Sequence, residues 1–295
     1  MLADLAASRG AVTALVDGAV LTGTSISAAV RHAATWHGRS ERTRPVIVLA
    51  HGFGCDQGMW DLVLPSLTER FSVLTFDHVG AGRSDLGSYD PQRYSSLAGY
   101  AQDLVVLLDE LDLRDVLLVG HSVSAMIAAV AFPACPERFA GVVMIGPSPR
   151  YVDEEGYIGG FSQDDVDSLL LTLQANFLGW SAAMAPVIMG NGDRPELADR
   201  LERSFCRTDP VIAEQFARVT FLSDHRTALA AVTAPTLVLQ CSQDAIAPES
   251  VGRYVATQLP HSTFQQLDAI GHCPHVSAPE ETASAILRFA QDLVR

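Results

Sequence analysis

The chain has 295 residues, enough for one α/β domain carrying an insertion and short for two independent domains of ordinary size. Its 48% hydrophobic and 18% charged residues exclude a disordered or fibrous composition. A formal net charge of -14 excludes a sequence-independent hold on nucleic acid or on an anionic membrane, since both need clustered Lys and Arg, and leaves a small neutral or apolar substrate as the expected partner.

In chain order, residues 1–27 carry Asp4 before any apolar run and lack a basic n-region and a cleavage site, so they are expected as a poorly ordered extension rather than a leader. From residue 28 onward, short β-branched or leucine-rich runs alternate with segments of helical period. Ala33 to His37 reads as an edge strand, followed by strands over Pro45 to Ala50, Ser72 to Asp77, Val116 to His121 and Gly141 to Gly146. Leu97, Tyr100, Ala101, Leu104, Val105, Leu108 and Leu111 recur at helical spacing between the third and fourth of these runs. From 149 to 231 no good strand occurs, only helical segments punctuated by Gly and Pro. Ser162 with Asp165 and Asp209 with Pro210 mark helix starts there, and the interval is expected to be an inserted helical lid. Strands resume over Pro235 to Cys241 and Ser262 to Leu267, and Ile286, Phe289 and Leu293 mark a last helix. The expected fold class is α/β: a mostly parallel sheet built from 28–148 and 232–295, helices on both faces, and the lid at 149–231.

No run approaches the roughly 20 uninterrupted apolar residues of a membrane-spanning helix. Cys55, Cys135, Cys206, Cys241 and Cys273 are odd in number, scattered and form no C-x-x-C, so reduced thiols in a cytoplasmic setting are expected, without disulfide framework or zinc motif.

The chemistry begins at Gly120-His121-Ser122-Val123-Ser124, which follows an apolar strand and precedes the small-residue run Ala125 to Ala129. A strand-to-helix turn this tight admits only small neighbours and lifts the serine hydroxyl to a helix N-terminus, the nucleophile elbow of α/β-hydrolases, here with Ser124 where the usual pattern has glycine. Such a serine needs a base and the base needs an orienting acid. Asp244 follows the strand ending at Cys241 and His272 follows the strand ending at Leu267, so Ser, Asp and His occur in the order that fold requires. Asp268, four residues before His272, is a rival acid that spacing alone does not exclude. The amides of Phe53, in His51-Gly52-Phe53-Gly54, and of Val123 are the expected oxyanion donors. His51 and His121 read as packing or hydrogen-bonding residues. His272, Cys273 and His275 could be drawn as metal ligands, yet neither a helical His-x-x-x-His nor paired cysteines support that, and no metal or other cofactor is expected.

The strings HGFGCDQ (51–57), GHSVSAM (120–126), GPSPRY (146–151), GGF (159–161) and GHCPH (271–275) resemble the RsbQ-type bacterial hydrolases. The same branch holds the plant karrikin-receptor and strigolactone-receptor hydrolases, which likewise have Ser at the position of Ser124. SFCRTDPVIAEQFA (204–217) and SDHR (223–226) resemble the bacterial members more. The resemblance covers residue 28 to the C-terminus. It implies a four-helix lid over a deep apolar pocket lined by Phe53, Val123, Phe161, Trp180 and Phe221, with Met184 where plant members have an aromatic residue. It also implies slow hydrolysis of small hydrophobic esters or lactones, and a signalling role with a protein partner, which in the bacterial relatives is a PAS-domain phosphatase of an energy-stress response. A ligand-responsive module with little turnover is the second expectation. A cofactor-free haloperoxidase is a third, while a dehalogenase would need Asp in place of Ser122.

Overall fold

The computed structural model describes residues 9–16, 19–38 and 45–294. The expectation for residues 1–8 lies outside this range. Arg9–Val16 (β1) and Ala19–Ile26 (β2) pair antiparallel, Arg9 opposite Ile26 and Val16 opposite Ala19, as a separate two-stranded sheet. Both strands fall within the N-terminal extension expected at residues 1–27. Val12, Thr13, Val16, Val20, Thr22, Thr24 and Ile26 give both strands a β-branched composition that favours extended backbone.

After the short helix Ala28–Arg31 (α1) come the strands Thr35–His37 (β3), Val46–Ala50 (β4), Val73–Phe76 (β5), Val116–His121 (β6), Phe139–Ile145 (β7), Thr236–Gln243 (β8) and Ser262–Ile270 (β9). They form one sheet in the order β3-β5-β4-β6-β7-β8-β9. Every neighbouring pair is parallel except β3 against β5. β4 and β6 are buried along their whole length, which is why they read as unbroken apolar runs rather than alternating ones. The alternation is still present in space. Val46, Val48, Val116 and Leu118 face Leu97–Glu110 (α3) and Val123–Ala131 (α4), whereas Ile47, Leu49, Leu117 and Val119 face Leu64–Thr68 (α2) and Pro279–Asp292 (α11). Glu249–Gln258 (α9) joins the α3 and α4 side through Val255.

Between β7 and β8 lie four helices, Gln163–Ala175 (α5), Phe177–Met189 (α6), Pro195–Phe205 (α7) and Pro210–Leu222 (α8). α5 opens with a reciprocal capping box, Ser162 Oγ accepting from the Asp165 amide and the Asp165 carboxylate accepting from the Ser162 amide. Asp209 caps α8 by accepting from the Val211 and Ile212 amides, with Pro210 at the first helical position. These helices enclose a third apolar cluster together with Cys55 and Met59 from the loop after β4, and with Cys273 and Val276 around the short helix Pro274–Ser277 (α10). The chain leaves β4 toward β5 on one side and returns to β6 on the other. The crevice beyond the carboxyl ends of β4 and β6 is therefore the switch point at which parallel sheets hold ligands. No helix among the described residues is long and apolar enough to cross a membrane.

Candidate active site

Ser122 stands between the last residue of β6 and the first of α4 with φ 57° and ψ -122°, a backbone region that L-residues rarely occupy. The turn is held by the Ser122 amide donating to the Ile145 carbonyl at 2.8 Å and by the Ala125 amide donating to the Ser122 carbonyl at 2.9 Å. A Cβ at Gly120 would come within 2.6 Å of the Ser124 carbonyl oxygen, so glycine two residues before the serine is a steric requirement here. Ser124 fills the place of the usual glycine without strain. Its hydroxyl donates to the His51 carbonyl at 2.5 Å and accepts from His78 Nε2 at 2.8 Å, which joins the elbow to the loops after β4 and β5.

Three strand ends converge on the hydroxyl. Ser122 Oγ is 2.8 Å from His272 Nε2, and His272 Nδ1 is 2.8 Å from Asp244 Oδ2. The other carboxylate oxygen, Asp244 Oδ1, accepts from the Ile246 and Ala247 amides at 2.8 and 3.0 Å. Burial of the Asp244 side chain works to raise its pKa. The His272 imidazole and these amide hydrogen bonds outweigh it and hold the carboxyl below the usual carboxylate range. The rival Asp268 is exposed on β9, its amide donating to Glu281, and takes no part in this chain of hydrogen bonds. The His272 amide donates to the Ile188 carbonyl on α6 at 2.8 Å, and its carbonyl is 2.9 Å from His121 Nε2. His51 accepts from the His78 amide through Nε2. Both of these histidines thus position loops around the serine.

Val123 opens α4 immediately after Ser122. Phe53 follows Gly52, where a Cβ would stand 3.2 Å from that of Ser122, so the chain carrying Phe53 passes close beside the serine. A cavity containing Ser122 and His272 is lined by Phe53, Tyr151, Trp180, Met184, Phe205 and Phe221 among others, almost wholly apolar. It is narrow, with a volume of about 30 Å³. Phe53 lies at its middle, its ring centroid 5.8 to 6.1 Å from those of Trp180, Phe205, Phe216 and Phe221.

Phe161 departs from its expected place. It lines an open groove of about 740 Å³ between α5 and α6, its backbone pairing with Tyr151 and Val152, and its ring centroid lies 6.4 and 6.5 Å from those of Tyr151 and Phe221. Leu169, Trp180 and Met184 line both spaces and form the wall between them. Tyr151, whose hydroxyl is 3.4 Å from Ser122 Oγ, has its pKa raised by burial and brings a phenol to the serine. Tyr151, Leu201, Phe205 and Ile246 reach the cavity from three separate segments, Leu201 and Phe205 both from α7, and nothing local in the sequence marks them. Cys55 and Cys273 also face it.

Sheet topology, elbow and cap together define a hydrolase, and the chain belongs to the alpha/beta hydrolase family, whose model matches residues 47–285. Its relatives include a probable esterase of Oryza sativa subsp. japonica, 36% identical over 252 residues, covering 85% of this chain and 93% of the rice protein. A strigolactone esterase of Arabidopsis thaliana is 36% identical over 244 residues, covering 82% and 91%. Among solved structures, a hydrolase from Oleispira antarctica superposes with a TM-score of 0.86 at 40% identity, covering 90% of this chain and 96% of that one.

Proposed function

We propose that the chain is a serine hydrolase of small hydrophobic esters or lactones, with Ser122 as nucleophile, His272 as general base and Asp244 as the group that fixes its tautomer. The observation that carries this reading is the unbroken hydrogen-bonded chain from Asp244 through His272 to Ser122, opening into an apolar cavity. Ser122 Oγ attacks the carbonyl carbon as His272 Nε2 takes its proton. The Phe53 and Val123 amides hold the oxyanion, and His272 returns the proton to the leaving oxygen. Water, activated by the same imidazole, then releases the acyl group. No cofactor enters this scheme. Residues 149–231 act as the lid, and free thiols at all five cysteines fit a reducing, cytoplasmic setting.

The test is stopped-flow hydrolysis of p-nitrophenyl acetate and butyrate with intact-mass detection of the acyl-enzyme. Ser122→Ala is expected to lose turnover by roughly 10³-fold or more and to show no acyl adduct. Equal rates for the two proteins would end the proposal.

A second reading is favoured by the narrowness of the cavity. Filling it requires the cap to shift, which alters the outer surface of α5 and α6. Two relatives of 36% identity are named karrikin insensitive 2 receptors of Petunia hybrida. The same chain can therefore serve a signalling partner that reads the filled state, with hydrolysis slow. Ligand-dependent partner capture that persists in Ser122→Ala would support it.

A further inference from the structure

We infer a binding site for a soft divalent metal ion beneath the active-site cavity, built from His121, Cys273 and His275 and completed by Cys55. The first three offer ligand atoms that all lie within 4.8 Å of one another, although they come from the end of β6 and from the segment around α10. They are buried, His275 completely. Cys55, buried in the loop after β4, lines the same cavity as His121 and Cys273. Sequence spacing hides this set, because its members come from three separate segments of the chain.

Buried ring nitrogens ordinarily have partners. Among the described residues, His121 Nδ1 and both nitrogens of His275 have none. The His121 ring is moreover fixed in one tautomer. Its Nε2 lies 2.9 Å from the His272 carbonyl, which only accepts, so Nε2 carries the proton and Nδ1 presents a lone pair. A ring N–H donated to a backbone carbonyl is how metal-bound imidazoles are oriented. The Trp60 ring lies against His275 at 4.4 Å between centroids and limits its swing.

Two sulfurs and two imidazole nitrogens form a tetrahedral set suited to zinc. Each thiol gives up its proton to solvent on ligation. Two thiolates then balance the charge of one divalent ion, and no net charge is buried. The ion enters by the substrate's route, since Cys55, His121 and Cys273 all line the cavity that holds Ser122. Cys273 directly follows His272, and ligation ties that residue to the loop carrying Phe53. Zinc bound here therefore slows hydrolysis by pulling the histidine out of line.

Cobalt(II) titration of the full-length, untagged and reduced chain tests the site independently of any turnover. Expected are thiolate-to-cobalt charge-transfer and tetrahedral d–d bands that saturate at one equivalent and are displaced by zinc. Cys206→Ser, which removes the exposed cysteine, is expected to keep these bands. Cys273→Ser and Cys55→Ser are expected to lose the charge-transfer intensity and to bind zinc more weakly by roughly 100-fold in equilibrium dialysis. Wild-type protein without charge-transfer bands at one equivalent would overturn the site, and so would bands that vanish only in Cys206→Ser.

Discussion

At Ser122 the backbone is held in a conformation that costs on the order of 1–3 kcal/mol for a residue with a side chain, and the surrounding β6, β7 and α4 impose it. The proposed chemistry makes the neighbours just as specific. Asp244→Asn leaves the shape of the site but lets His272 adopt the wrong tautomer, and kcat for p-nitrophenyl butyrate is expected to fall by about 10³ to 10⁴-fold with little change in KM. Ser124 is the residue whose part changes most between sequence and structure. As a sequence position it is a tolerated deviation from glycine. In the fold its hydroxyl satisfies both the His51 carbonyl and His78. Ser124→Ala leaves those buried groups without partners and is expected to cost about 1–3 kcal/mol in denaturant unfolding. A loss below a few tenths would mean that this hydroxyl is not what joins the two loops.

Between elements, the contact of widest consequence is Gly271 with the end of α6. Gly271 has φ +90°, and a Cβ there would stand 1.9 Å from the Met189 carbonyl oxygen. Gly271→Ala is therefore expected to displace α6 from the His272 loop, lowering stability by roughly 2–4 kcal/mol and lowering kcat, both measurable on one purified variant. Gly54, with φ +71°, plays the same part for α7, since a Cβ there would meet the Phe205 ring at 1.7 Å. None of this is legible in the sequence, where residues 54 and 205 or 189 and 271 are unrelated. What can be read there is what local physics writes: apolar runs for strands buried on both faces, helical period in α3, cap signals at α5 and α8, and the positions of Ser122, Asp244 and His272 just after strands. Phe161 illustrates the limit. Its residue type suits a pocket, but its backbone pairs with Tyr151 and Val152 across a turn no pattern announces, and it lines the groove between α5 and α6 instead. The hairpin of β1 and β2 escapes a sequence reading for a related reason, because the absence of a leader signal says nothing about strands, whose only local mark here is β-branched content.

Over the whole molecule, buried histidines set the response to acid. Burial lowers the pKa of His32 and holds that of His78 well below its ordinary value. Below about pH 6.5 the unfolded chain takes up protons that the folded chain refuses, so the stabilisation is complete above that pH and is lost as pH falls. Each such histidine steepens the loss by up to about 1.4 kcal/mol per pH unit. Asp244, depressed in the folded state, adds a further loss at lower pH as it protonates. Thermal melting is expected to shift downward steadily from neutral pH toward pH 5, and His78→Gln should flatten that dependence. A wild-type midpoint independent of pH across this range would contradict the assignment. The His272 amide, donating to the Ile188 carbonyl, ties the catalytic loop to the cap. In the proposed hydrolysis, a cap that swings aside to admit an ester lets go of the histidine in the same motion, so admission and cleavage fall in successive intervals, as in an airlock whose two doors are never open together. The interval in which a ligand is held but not yet cut is then set by how quickly α6 returns.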